Sequence, residues 1–293
     1  MSALKIGFPE PGTGPATVAV PAPGTGLGAW AGAPSATLDS DLTFVIAYRL
    51  RSRQERGADV VLARSDDGER LETVARLDKS QFDAESLERP ALVRTREGRW
   101  RLFLSCATPG SKHWWIAMLE ADDAERLADS RPLVAFAGDE RTGIKDPVIR
   151  QTPEGWRAWL CVHPLQAKGE EDRMSTAYAT SEDGLRWRWH GVVFDGRPGK
   201  WDSRGVRVTS VLSDGRASYD GRARKEENFD ERTGLARWDE ASRRLVAHGV
   251  RPVSNVRYLD VVALPDGSFR LFYEAPLPDG SHELRTELAA EGA

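Results

Sequence analysis

The chain has 293 residues, 40% of them hydrophobic, which suffices for one large domain or two small ones. Its 45 acids and 41 bases leave a net charge of −4, so the overall balance gives no reason to expect nucleic acid or a membrane surface as partner. No apolar run reaches the ~18 residues of a membrane span, and the start lacks a basic segment followed by an apolar one, so a cytoplasmic protein is the expectation.

Residues 1–28, rich in Gly and Pro, predict a coil or an edge-covering arm, leaving 29–293 as one domain. The next stretch, "GAPSATLDSDLTFVIAYR" from Gly32, opens a repeat. "DVVLARSDDGERLETVARL" from Asp59 follows as a strand, an Asp-Gly turn and a second strand. The repeat returns as "ERPALVRTREGRWRLFLSCA" from Glu88, and "LEADDAERLADS" from Leu119 reads as an irregular loop or one short helical turn. "KDPVIRQTPEGWRAWLCVH" from Lys145 is the next copy, with "TAYATSEDGLRWRWHG" from Thr176 as its outer hairpin. A worn copy runs from Ser203, "SRGVRVTSVLSDGRASYDG", followed loosely by "TGLARWDEASRRLVAHG" from Thr233, and the last is "RYLDVVALPDGSFRLFYEA" from Arg257. Pro34, Pro90 and Pro147 lie 56 and 57 residues apart, and the turn glycines at 155, 215 and 267 continue that rhythm approximately. Two hairpins per copy make a four-stranded antiparallel sheet. Five copies predict an all-β fold, a five-bladed β-propeller of four-stranded antiparallel blades.

Ten tryptophans suit either a β-rich core or a sugar-binding cleft, since the ring both buries a large area and offers a flat face. Cys106 and Cys161, each inside an apolar run, read as buried free thiols. No metal-ligand spacing, nucleotide loop or nucleophile elbow is present, so neither metal nor cofactor is expected.

"KDP" at 145–147 and "SEDGLRW" at 181–187, set in five blades, resemble the five-bladed propeller glycosidases: the family 43 arabinofuranosidases and xylosidases, the family 32 invertases and the family 130 mannoside phosphorylases. "LERPALV", "SCATPGSKHWW" and "YDGRARKEENFDERTGLA" are similar to a bacterial branch of that superfamily with a degenerate acid triad. The resemblance implies an axial funnel holding a first-blade base, a supporting Asp and a Glu acid. Asp146 matches the supporting Asp. The first blade offers Ala33-Pro34 where Asp-Pro is expected, and "WDSRGVRV" at 201–208 has no Glu, its nearest acid being Asp202.

Glycosidic cleavage needs two carboxyls, one protonated and one ionised. Asp146, Glu88, Asp220 and Glu274 are the catalytic candidates; the plainer readings are a strand cap for Asp146, a solvated strand end for Asp220 and Glu274, and for Glu88 a satisfied ion-pair ring closing the channel with Arg89, Lys145, Asp146 and Arg204. Arg89, Lys145, Arg204 and Arg207 are candidate substrate cations, the alternative being an ion-pair ring closing the channel. Trp114 and Trp201 beside His113 and His163, with Tyr219, Asp202 and Asp260, complete the candidate binding set. Arg222, Arg224 and Lys225 add cations if their loop overhangs the funnel, which would suit a carboxylate or phosphate. The expected function is glycosidase-like cleavage of a small-molecule glycoside, with water or phosphate as acceptor and an anionic substrate left open. The rivals are a non-catalytic sugar-binding propeller and a propeller enzyme with lyase or transferase chemistry on an anionic small molecule.

Overall fold

A computed structural model describes residues 7–290. It is all-β, with three short 3-10 segments, Lys79–Phe82, Ala124–Asp129 and Lys225–Glu227. After β1 (Thr17–Val20) come β2 (Trp30–Leu38), β3 (Phe44–Arg51), β4 (Asp59–Ser65) and β5 (Glu72–Asp78). The second unit is β6 (Leu87–Arg94), β7 (Trp100–Ala107), β8 (Trp114–Ala121) and β9 (Leu133–Phe136), and the third is β10 (Thr142–Thr152), β11 (Gly155–Pro164), β12 (Ser175–Ser181) and β13 (Arg188–Phe194). The fourth is β14 (Gly205–Val211), β15 (Arg216–Arg222), β16 (Arg232–Asp239) and β17 (Arg244–His248); β18 (Arg257–Ala263), β19 (Phe269–Pro276) and β20 (His282–Ala289) close the chain.

The second, third and fourth units are separate four-stranded antiparallel sheets. The expectation of uniformly separate antiparallel sheets fails at the chain ends. There, β18–β19–β20 and β2–β5 share one eight-stranded sheet, with β1 antiparallel to β20. A single parallel pair, Trp30 opposite His282, joins the halves, because the His282 amide donates to the Ala29 carbonyl at 3.0 Å and the two rings stack at 5.0 Å.

Turn chemistry explains the hairpins. Ser65 and Ser181 accept from the amides of Gly68 and Gly184 at 2.9 and 2.8 Å, while Asp67 and Asp183 accept from the two amides beyond. Gly184 sits at φ 72°, and a Cβ there would meet the Trp156 ring at 2.8 Å, so the turn needs glycine on both counts. Apolar clusters lie between successive units, and six of the ten tryptophans are buried, which favours the core reading for most of them. The first strands touch in a closed cycle: β2 against β6, β6 against β10, β10 against β14, β14 against β18 and β18 against β2. Residues far apart in sequence therefore meet around one axis. No helix among the described residues is long and apolar enough to cross a membrane.

Candidate functional site

Each first strand carries an extra residue, a β-bulge that re-aims a side chain. The register breaks between Gly32 and Ser35, Leu87 and Pro90, Lys145 and Val148, Val208 and Ser210, and Arg257 and Asp260. Ala33, Asp146 and Tyr258 hold the left-handed region there, at φ 51°, 49° and 52°. Such backbone persists only where the surroundings fix it. Ser105 Oγ accepts from the Asp146 amide at 2.8 Å, and Asp220 accepts from the Tyr258 amide at 3.0 Å.

The bulges turn charged groups onto the axis. Arg207 donates to Asp146 Oδ2 at 3.0 Å, to the Tyr258 hydroxyl at 2.8 Å and to Asp220 Oδ2 at 2.7 Å. Arg49 bridges Glu88 and Glu274, the latter at 2.6 Å. Arg257 lies 3.0 Å from Glu274 and 2.9 Å from Glu231, which Arg222 also meets at 2.6 Å. His282 Nδ1 completes the ring 2.6 Å from Glu274.

Burial works to raise the Glu88 carboxyl, but Arg49, Lys145 and Arg51 outweigh it and hold it at about 2. Burial likewise opposes Arg257, Arg207 and Arg222 at Glu231, and the cations again win, at about 2. Glu274 is held well below the ordinary carboxylate range by Arg49 and Arg257, against burial. Burial pushes Asp220 up, with Arg207 opposing. Burial and then the Lys145 charge push His163 down to about 3, so its imidazole is neutral.

Above this floor opens a cavity of about 360 Å³, within the range of small-ligand sites. Nine Lys or Arg side chains line it against five Asp or Glu, so its wall is net cationic. Trp30 and Trp114 supply aromatic wall; Lys145 Nζ stands 4.5 Å from the centre of the Trp114 ring, and Arg51 4.5 Å from that of Trp30.

Of the candidate catalytic acids, Glu88 lines this cavity. Asp146, Asp220 and Glu274 lie beneath it with fully buried side chains. Asp146 Oδ2 is 3.5 Å from Lys145 as well as bound to Arg207, while its Oδ1 is buried without a hydrogen bond. Lys145, His163, Trp114, Arg207, Arg222 and Lys225 also line the cavity.

Other candidates are not brought there. Tyr219 precedes Asp220 on a strand, so its ring projects from the opposite face, donates to Asp202 at 2.8 Å and stacks on Trp201 at 5.7 Å. Tyr219, Trp201 and Asp202 thus form a cluster of their own, closed by Arg197. Arg204 is forked onto Asp172, with 2.7 Å to Oδ1, on an outer flank that also takes Arg224. His113 bonds Thr108 Oγ1 at 2.8 Å beside the cavity wall. Arg89 and Asp260 face the opposite end of the axis, because the bulge gives Tyr258 the place of Asp146 and sets Asp260 two residues further along.

Sequence reasoning missed Arg49, Arg51, Glu231, Arg257, Tyr258 and His282. Aligning Lys145-Asp146-Pro147 with Arg257-Tyr258-Leu259 would have found Tyr258. Among the described residues no cluster of His, Cys, Asp and Glu could hold a metal ion.

No family model matches the chain, and no curated relative does. Solved structures do. A thermostable family-43 glycoside hydrolase superposes with TM-score 0.66 at 14% identity, over 96% of this chain and 91% of its own. The β-1,2-mannobiose phosphorylase of Listeria innocua gives 0.63 at 14%, over 89% and 90%. The sucrose-6-phosphate hydrolase of Lactobacillus gasseri gives 0.63 at 10%, over 90% of this chain and 59% of its own. The chain has the fold of the propeller glycosidases. Within that fold its floor differs from the acid set the resemblance implied: Ala33 contributes a methyl where a first-blade base is expected, and each carboxylate at the floor is committed to at least one cation.

Proposed function

We propose that residues 29–293 form a single five-bladed β-propeller domain whose last blade is completed by a strand of the preceding arm, and that its axial cavity binds an anionic glycoside, or a glycoside together with inorganic phosphate, for cleavage of the glycosidic bond. The cycle of first strands supports the five-blade reading, with β1 as fourth strand of the last blade. The net cationic wall beside Trp30 and Trp114 carries the ligand assignment. Guanidinium groups pair with phosphate and carboxylate oxygens, and aromatic faces suit a sugar ring.

Phosphate is favoured over water as acceptor. Hydrolysis by two carboxylates requires one of them protonated; Glu88, Glu231 and Glu274 are held ionised by their arginines, and Asp220, which burial pushes up, is fully buried beneath the cavity and bound to Arg207. Phosphate brings its own nucleophilic oxygen and needs cations to hold it. Tyr258 lines the cavity, and its oxygen accepts from Arg207, which leaves the hydroxyl hydrogen to donate to a ligand oxygen. The same ionised floor favours a second reading, binding of an anionic sugar without turnover.

The test is a panel of aryl glycosides, uronides included, and β-linked disaccharides, each with and without inorganic phosphate. Phosphate-dependent release of a sugar 1-phosphate, lost in Arg51→Gln/Lys145→Gln, is expected. Equal release without phosphate would overturn phosphorolysis. Saturable binding with no product would select the second reading, and the absence of both would sink the proposal.

A further inference from the structure

The axis has a second mouth, at the far ends of the first strands, away from the cavity proposed to bind the glycoside. A cavity of about 220 Å³ opens there, smaller than the usual range of small-ligand sites and suited to an ion or a compact acid. Four arginines line it, Arg89, Arg94, Arg96 and Arg150, against one acid, Asp260.

Their commitments differ. Arg94 is spent on Asp39 at 2.8 Å. Asp260 accepts from the Ala36 amide at 2.7 Å and so is partly occupied. Arg89 is 2% exposed; its terminal nitrogens donate to the carbonyls of Val208 and Thr209, and its Nε is buried without a partner. The Arg150 side chain, half-buried, makes no hydrogen bond or close ion pair among the described residues, and Asp260 is the acid acting on it. Ser35, Thr37, Thr95 and Gln151 add polar groups to the wall. Withdrawing guanidinium groups from water without an acid to meet them is costly, and a bound oxyanion removes that cost.

We propose that this second mouth is a binding site for a small oxyanion of two or more negative charges, inorganic phosphate being the simplest and a di- or tricarboxylate the alternative source of the same chemistry. The site is independent of the cavity at the other end of the axis. A physical link to it runs through Arg89, which holds the carbonyls of Val208 and Thr209, directly following Arg207 on β14.

Calorimetric titration of inorganic phosphate, and separately of citrate, into the full chain tests this in the Lys145→Gln background, which weakens anion binding in the first cavity. Arg150→Gln is expected to weaken the remaining site roughly tenfold or more, as loss of a charge-assisted bond predicts. Arg96→Gln should act in the same direction. Arg237→Gln, removing an exposed charge on β16, should leave affinity unchanged. Saturable binding of either anion with this pattern supports the site, and the preferred anion identifies its class. No saturation at tens of millimolar of either, wild-type affinity in Arg150→Gln, or equal weakening by Arg237→Gln overturns it. Circular dichroism of each variant checks the fold; the Arg150 side chain makes no hydrogen bond among the described residues, so its loss should not unfold the chain.

Discussion

Glu231→Gln is the sharpest probe of the floor. Glu231 is 2% exposed, 2.6 Å from Arg222, 2.9 Å from Arg257 and 3.9 Å from Arg207. Its folded carboxyl sits at about 2 against an ordinary 4.5. That gap corresponds to roughly 3 kcal/mol of stability. A depressed carboxylate contributes above its unfolded value and loses the contribution as pH falls through the folded one, so the window runs from 4.5 down to about 2. Glutamine mimics the protonated acid. The variant should therefore lose roughly 3 kcal/mol at pH 7, close to the cost of breaking a buried pair, and almost nothing near pH 2. Urea unfolding across that range measures both. Glu88 titrates in the same window, so the variant's pH slope should be shallower than the wild type's rather than zero. A loss under about 1 kcal/mol at pH 7, or an unchanged pH slope, would refute the ionised-floor argument.

Three further outcomes are expected. Gly32→Ala places a Cβ 2.7 Å from Glu274 Cβ and 2.3 Å from its Oε2, so it should cost roughly 1–3 kcal/mol in urea unfolding by overpacking; wild-type stability would refute the packing of Glu274 against the first strand. Asp146→Asn should lower stability by about 1–3 kcal/mol, because Arg207 loses one carboxylate and keeps Asp220, and an unchanged midpoint would count against that ion pair. Cys106 and Cys161 are buried free thiols pushed up to about 12 by burial, so a thiol reagent should find none at pH 8 in the native protein and two after denaturation; rapid native labelling would contradict their placement.

The repeat was legible because its punctuation has a local cause. Gly98, Gly155, Gly215 and Gly267 all take positive φ at hairpin turns, so their spacing marks the units. The floor was less legible because its geometry depends on bulges that a period-2 pattern does not mark. In the sequence Asp260 stands beside Asp146 with its register open by about two residues; the matching bulges of β10 and β18 put Tyr258 in the place of Asp146 and leave Asp260 two residues further on. Tyr219 and Asp220 read as one aromatic-acid pair, yet adjacent strand residues face opposite ways, which sends the tyrosine to Asp202. Arg49, at the end of the apolar run "FVIAY", reads as a strand terminus; its role appears once Glu88 and Glu274, 39 residues on and 225 residues on, reach it across the axis.

The pattern of charges also says why the floor exists. Arg49 lies between Glu88 and Glu274, Arg257 between Glu274 and Glu231, and Arg207 among Asp146, Asp220 and Glu231. Alternation makes burial of so many charges tolerable, but it does not make burial advantageous, since well-packed apolar groups often serve stability as well or better. A network of this kind at the foot of an open cavity acts as a rigid platform. Its acids fix the arginines in place, and the less committed cations, Arg51, Arg56 and Lys145, stand on the wall above. Ligand charge would then meet cations above a fixed floor, with Arg51 and Lys145 set 4.5 Å from the centres of the Trp30 and Trp114 rings, which limits the rearrangement that recognition needs.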